Sequence, residues 1–463
     1  MGSKKPISNL PLKACYKNPQ NMLAQFNKSL LICAAMLLAA LNPLHSETDT
    51  LSLTQEEAID LALEQNREIT ISGYDQEIAE RDWNEARGNL LPRLEFSANY
   101  NRNLQLPVIF MPEGSPFGDV LDIGSDNAFD ANLSLSMPIY QPGLYSGIRA
   151  AEKGKDVARE ADREKRLEVK ANVAQSYNNA LIARESKEVL QATLDSARNN
   201  LERTRKLFEQ GQVSEHEKIR AEVEVENIRP NVQVARDQYT VALNNLKSTI
   251  DLDPDVVVEP EDDLEKMDFE PKEDKENLIA DNPSIRMLDH QEDMAEERIA
   301  SERSSFYPSL SAFGNYNYQA EEDDYDFSEY NWVNTSAVGL RLNIPIFSGF
   351  TRYQNLQKAE VEASQTRLQR QQTEDVLHIQ LNNQKSLIEQ AEERISMQEN
   401  SLDLARRSVE MARANYRAGT SSLLELNDAE IAYKEAQLNY YEAIADYNSS
   451  VIEYRQITGS IQE

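Results

Sequence analysis

Residues 381–416 read LNNQKSLIEQAEERISMQENSLDLARRSVEMARANY. An apolar or aromatic residue recurs there at every seventh position: Leu381, Ile388, Ile395, Leu402, Val409 and Tyr416. Ala391, Ala405 and Ala412 stand three residues after three of these. This is the seam of a coiled coil, because a helix of about 3.6 residues per turn returns such positions to one face. From Phe350 to Ala418 there is no Pro and no Gly, so the helix would extend over roughly 65 residues, about 100 Å long. A rod of that length suits a cytoskeletal protein, a tether or a tunnel wall, and the rest of the chain has to decide.

The informative property is duplication. Leu63-Glu64-Gln65-Asn66-Arg67-Glu68-Ile69 returns as Ile279-Ala280-Asp281-Asn282-Pro283-Ser284-Ile285, displaced by 216 residues. Leu91-Pro92-Arg93-Leu94 returns as Tyr307-Pro308-Ser309-Leu310 at the same displacement. Met137-Pro138-Ile139-Tyr140 returns as Ile344-Pro345-Ile346-Phe347 after 207, while Gly211 and Gly419, then Ala221-Glu222 and Ala429-Glu430, lie 208 apart. The seam itself has a counterpart 208 residues earlier in Val173, Ala180, Leu194, Leu201 and Phe208, interrupted by Lys187. The chain is expected to hold two copies of one unit, residues 47–250 and 277–463, joined by residues 251–276. That connector carries thirteen acids against three Lys, with Pro254, Pro260 and Pro271. Asp251-Leu252-Asp253-Pro254-Asp255 lacks the Gly and distal Glu of a calcium loop, which leaves a solvated linker.

Composition agrees with long helices: 463 residues with 15 Gly, 17 Pro and 27% charged residues. Lys28 precedes an apolar run, Leu30–Leu41, followed by His45-Ser46-Glu47, which has the length of a signal-peptide core and is short for a membrane span. Residues 1–46 are therefore expected to be a signal peptide, with Met22 as an alternative start and 1–21 as an upstream extension. Cys33 lacks the small residues that precede a lipidated cysteine. Cys15 and Cys33, the two cysteines, leave with that segment, so neither a disulfide nor a cysteine metal site is available downstream. Cleavage removes five Lys and no acid and takes the net charge from −31 to −36, which argues against a nucleic-acid partner.

Each copy opens with a helix, Thr54–Asn89 in the first, where Thr54 and Glu57 form a capping box. After Pro92 the apolar period changes to two. Strands are expected at about 92–104 and 128–140, and again at about 308–319 and 331–345. Strands of 12 to 15 residues exceed the globular mean of about five to six and suffice to cross a bilayer at a tilt. Aromatics flank them as an interfacial girdle would: Tyr330 and Trp332 at one boundary, Tyr140, Phe306, Tyr307 and Phe347 at the other. A soluble hairpin pair packed on helices would also show one apolar face. In a membrane, four strands cannot close a barrel and open edges cannot face lipid, so the chain must pool strands with other copies, and three copies supply twelve. Long helices follow at about 146–209 and 214–250, with a kink at Pro230, and at about 350–417 and 422–457. Gly211 and Gly419 turn them, since Gly accepts the left-handed conformation that ends a helix. The Tyr stripe Tyr433, Tyr440, Tyr447 and Tyr454 is read as core. The four His are scattered, and no phosphate loop or nucleophile motif is present; neither an enzyme nor a cofactor is expected.

The whole mature chain resembles the TolC family of outer-membrane channel proteins. The duplicated plan carries the likeness, together with the Leu-Pro-x-Leu and Pro-Ile flanks of each hairpin. So does Tyr416-Arg417-Ala418-Gly419-Thr420 before Leu423-Leu424-Glu425-Leu426-Asn427-Asp428-Ala429. The resemblance implies a mainly α fold with β: a homotrimer whose twelve strands form one outer-membrane barrel, continued by a periplasmic coiled-coil tunnel. It implies an exit duct for efflux or type I secretion, with a periplasmic adaptor docked on the tips at Gly211 and Gly419 and an inner-membrane transporter beneath. Glu425 and Asp428 would ring the entrance with six carboxylates, attracting cations; Tyr416 and Glu217 would hold it shut. Ser421 stands where the best-known member has Arg, so that member's gate bond does not carry over. A secreted coiled-coil scaffold or adhesin is the alternative that the heptads and signal also allow.

Overall fold

The computed structural model describes residues 50–460 except 113, 115, 117–119, 271–274 and 327–329; the expected signal peptide and Cys33 lie outside them. The chain divides into a large compact unit, residues 51–254 and 258–463, and a small remainder of which Thr50 and residues 255–257 are described.

A short strand, β1 (Thr50–Leu53), leads into α1 (Gln55–Gln65) and α2 (Arg67–Gly88). The sequence predicts one helix over Thr54–Asn89; Asn66 divides it. Asn66 has extended backbone (φ −64°, ψ 127°) and accepts a 2.8 Å bond from the Glu68 amide, ending one helix and capping the next. Then come β2 (Arg93–Arg102), a small hairpin of β3 (Val108–Phe110) and β4 (Val120–Asp122), and β5 (Asn127–Tyr140). Two long helices close the first copy, α3 (Pro142–Glu209) and α4 (Glu215–Ile250). The connector carries β6 (Val257–Pro260) and the start of α5 (Lys275–Ala280); the second copy continues with α6 (Pro283–Ser304), β7 (Ser309–Glu322), β8 (Val333–Asn343), α7 (Thr351–Arg417) and α8 (Leu423–Ile457). With 68 and 67 residues, α3 and α7 are each about 100 Å long. Pro230 does not break α4, which continues through it, and it lies on an exposed stretch.

The four longer strands form one antiparallel sheet in the order β2-β5-β7-β8, with β2 and β8 at its edges. Because side chains alternate, cross-strand rows differ by face. Leu94, Leu135, Gly314 and Val338 form one row and Phe96, Leu133 and Tyr316 the next, while Ser97, Asn132, Asn317 and Thr335 line the opposite face. The apolar rows are exposed, Val338 by 89%.

The helices show the duplication atom by atom. Asn66 Nδ2 donates to the Thr249 carbonyl at 3.0 Å, and Asn282 Nδ2 to the Ile457 carbonyl at 2.8 Å. Each ties the cap of a short helix to the end of a return helix. Just beyond those ends, Asp251 (φ 69°) and Gly459 (φ 67°) adopt the same left-handed conformation. Asp251 compensates for its side chain there by accepting from the Arg67 amide and pairing with the Arg67 guanidinium, both at 3.1 Å. In α7 the seam residues Leu381, Ile388, Ala391, Ile395 and Val409 are buried. Between the copies, the connector is held by α3: the fully buried Tyr177 donates to the Leu53 carbonyl at 2.9 Å and accepts from the Asp262 amide, while Arg184 donates to the Pro260 and Asp262 carbonyls. Burial pushes the Tyr177 phenol well above the ordinary tyrosine range.

Candidate functional site

The two helix-turn tips are built alike. At the end of α3 the Gly211 amide donates to the Phe208 carbonyl and Gln212 to Leu207, both at 2.9 Å; at the end of α7 Gly419 donates to Tyr416 at 3.2 Å and Thr420 to Asn415 at 3.0 Å. This paired closure requires a left-handed residue, which Gly211 (φ 73°) and Gly419 (φ 72°) supply. A serine then starts each return helix, Ser214 accepting from the Glu217 amide and Ser422 from the Glu425 amide, both at 3.3 Å.

The candidate entrance residues fall into this frame unequally. Glu425 and Asp428 are exposed in the first turns of α8, three residues apart on one face. The Glu425 carboxylate accepts from the Ser421 hydroxyl, and Glu425, in the first turn of α8, benefits from the positive end of the helix. Glu217 folds back on its own cap and accepts from the Ser214 amide at 3.3 Å. Tyr416 is half-buried against the cluster of Leu194, Leu201, Val225, Leu423 and Leu426. Among the described residues no hydrogen bond joins Tyr416 to Glu217.

Sequence reasoning missed the most connected group near the tips. Glu430 on α8 accepts from Ser196 Oγ at 3.1 Å and Asn200 Nδ2 at 3.3 Å on α3, and from Arg413 Nε at 3.1 Å on α7. One signal could have exposed part of it: Arg205 and Glu222, 208 residues earlier, keep the same spacing of 17 and are paired at 2.9 Å.

At one end of the sheet, Trp332 stacks on Tyr318 (centroids 4.8 Å apart) and lies beside Phe129 and Tyr330, while Tyr100 stacks on Phe129 at 4.6 Å. At the other end Tyr140, Phe306, Tyr307 and Phe347 are exposed, with Phe347 edge-on to Phe350 at 5.7 Å. Among the described residues no helix is long and apolar enough to cross a membrane, and no group of three or more His, Cys, Asp or Glu could hold a metal ion.

The sequence pattern described as outer membrane efflux protein matches residues 58–250 and 276–460. The chain belongs to the outer membrane efflux protein family. Alkaline protease secretion protein AprF of Pseudomonas aeruginosa is 22% identical over 65% of this chain and 62% of its own. Outer membrane protein TolC of Escherichia coli is 24% identical over 61% and 57%; the match spans less than two thirds of either relative. The fold of the Campylobacter jejuni CmeC outer membrane channel superposes with a TM-score of 0.72 at 21% identity, covering 99% of this chain and 95% of that one. Family membership thus extends through both copies of the repeat, whereas the entrance side chains rest on their local geometry alone.

Proposed function

We propose that the chain is the outer-membrane exit duct of an efflux or secretion system and works as a homotrimer. The observation that carries this is the sheet: Leu94, Phe96, Leu133, Leu135, Val338 and Leu340 are exposed on it, and both its edges are open. Moving an apolar face out of water gains about 25 cal/mol per Å², but open edges cannot face lipid. Three copies pairing edge to edge would close twelve strands.

The helices support the same assembly. α3 packs on α2 and α4 of its own copy and on α6 and α8 of the other, whereas among the described residues α7 packs extensively on α6 and α8 and has no comparable contact with α2 or α4. Ile71, Tyr74 and Ile78 on α2, and Leu368 and Ile379 on α7, are exposed. Two complementary surfaces related by an internal repeat make a head-to-tail interface, which closes into a ring where the rotation between copies divides a full turn.

In that ring the tips at Gly211 and Gly419 lie farthest from the membrane and receive a periplasmic adaptor, beneath which an inner-membrane transporter supplies energy. Glu425 and Asp428 from three copies form the entrance ring. Tyr416 and Glu217 belong to the closed gate, acting between copies. Tyr140, Phe306, Tyr307, Trp332 and Phe347 seat the barrel at the two lipid interfaces.

Conductance of the purified protein in planar bilayers tests this. Pores are expected, blocked by multivalent cations added on the tip side, with block lost in Glu425→Ala combined with Asp428→Ala. Unchanged block in that double variant removes the ring. A soluble elongated dimer absent from outer membranes would instead identify a secreted coiled-coil scaffold.

A further inference from the structure

We propose that Phe313 and Arg341, repeated in three copies, form organic-anion sites on the bore of the barrel, so that the cargo of this duct includes planar aromatic acids. This rests on the duct reading above and concerns the sheet, at the other end of the long helices from the tips.

On the polar face of the sheet Phe313 stands directly opposite Gly339, and Ser311 opposite Arg341. With the apolar rows turned to lipid, this face lines the bore. A Cβ at Gly339 would come within 2.9 Å of Phe313 Cζ, so the glycine is what lets the ring lie across β8. The Arg341 guanidinium sits 5.2 Å from the centre of that ring. Among the described residues it has neither a carboxylate nor a hydrogen-bond partner. The ring holds the guanidinium by its quadrupole and leaves the fork of N–H donors available. That fork matches a carboxylate or sulfonate, and the ring beside it matches the flat body of an aromatic ligand.

The internal repeat supplies the far side of the site. β2 and β5 pair Arg93 with Ser136; moved on by the displacements of 216 and 207, these positions become Ser309 and Asn343, which are paired in β7 and β8. The same rule applied to the β5–β7 joint, where Ser134 pairs with Asn315, sets Arg341 of one copy against Asn99 of the neighbouring copy. Ser97 and Asn101 flank Asn99 on that face, so the adjoining strand brings an amide donor and no acid. Asp130, paired with Asn99, stands one strand farther, about 10 Å from Arg341. The chain carries a net charge of −31, which repels anions along the rest of the path. Three such sites around the bore offset that repulsion while each stays weak enough to release its cargo.

Pyrene trisulfonate, a flat and fluorescent trianion, is the probe. Its anisotropy with the purified protein in detergent gives binding, and its effect on current in planar bilayers, added from the side of the β3–β4 hairpin, gives occupancy of the bore. Arg341→Gln and Phe313→Ala are expected to weaken both at least tenfold. Gly339→Ala keeps the charge but displaces the ring and is expected to weaken both at least threefold. Arg341→Lys, the conservative variant, keeps the charge without the fork and should fall between wild type and Arg341→Gln. Arg102 stacks on Tyr325 at 5.3 Å from the other face of β2, so Arg102→Gln should stay within twofold of wild type. Equal binding by wild type and Arg341→Gln overturns the inference. So does a loss in Arg341→Gln that neither Phe313→Ala nor Gly339→Ala shares, because it reports only the charge of the bore. Wild-type protein that forms no pore sinks the duct reading instead, and the anisotropy still decides whether Phe313 and Arg341 hold the anion.

Discussion

Arg413 and Glu430 face each other across the α7–α8 hairpin at 3.1 Å, 17 residues apart. Arg205 and Glu222 repeat the pair across the α3–α4 hairpin at 2.9 Å. Chemistry and span agree; surroundings do not, because a third helix, α3, packs over Glu430, whereas Glu222 bonds only within its own hairpin among the described residues and is more exposed. A double-mutant cycle on each pair should separate the two effects. The Arg413–Glu430 coupling is expected at about 1–2 kcal/mol, whereas the solvent-screened Arg205–Glu222 pair should give about 0.3 kcal/mol. Equal couplings would mean that α3 adds nothing.

Asn66 and Asn282 each act twice, as acceptor for a helix cap and as donor to the end of a return helix. Asn282→Ala should cost about 1–2 kcal/mol, the sum of a cap and a buried bond. Asn282→Asp keeps the acceptor and sets a carboxylate against the Ile457 carbonyl, so it should be no better than alanine despite being a good cap. Thermal melting of both variants decides; an Asp variant as stable as wild type would show that the donor is idle.

Asp251 and Gly459 occupy one position of the repeat with opposite solutions to a positive φ. Gly459→Ala should destabilise by about 1 kcal/mol through backbone strain. Asp251→Gly relieves strain but removes the Arg67 contacts, so it should be close to neutral or slightly destabilising. If Asp251→Gly instead stabilises by as much as Gly459→Ala destabilises, the Arg67 contacts carry no weight.

Tyr177 gives a dependence on alkaline pH. Burial raises its pKa in the folded chain, so its contribution is complete below the unfolded value of about 10 and is lost as pH rises beyond it. Tyr177→Phe should lower stability at neutral pH by about 1 kcal/mol, through loss of its bonds to Leu53 and Asp262, yet soften the decline above about pH 10. The slope should not vanish, since burial also raises Tyr239, Tyr441 and Tyr447. Denaturant midpoints at neutral and alkaline pH check both signs.

The long helices and the four longer strands were legible because their periods, seven and two, persist over many residues. So was the duplication. What stayed hidden was local or very distant. The break at Asn66 depends on one residue in extended backbone, although Asn282-Pro283 in the other copy marks the same place. Lys187, which interrupts the α3 seam, fits because its ammonium sits 4.3 Å from the centre of the Tyr239 ring; a heptad count records only the charge. The short hairpin of β3 and β4 has too few residues to show a period. Glu430 was seen as half of a repeated dipeptide, but its burial arises from α3, some 230 residues away in sequence, and no local pattern carries that.

The two unpaired edges of the sheet also set the hazards of biogenesis. A newly delivered chain carries on β2 and β8 a pair of templates that can accept its own kind before any membrane is reached. In water the same pairing has no reason to stop at a ring and can grow as a ribbon. If the chain is the duct proposed above, yield is a race between insertion, which would close the edges, and encounter among stranded chains, which rises steeply with their concentration. Over-production should consequently favour insoluble material over finished assemblies, and slower synthesis should reverse the ratio.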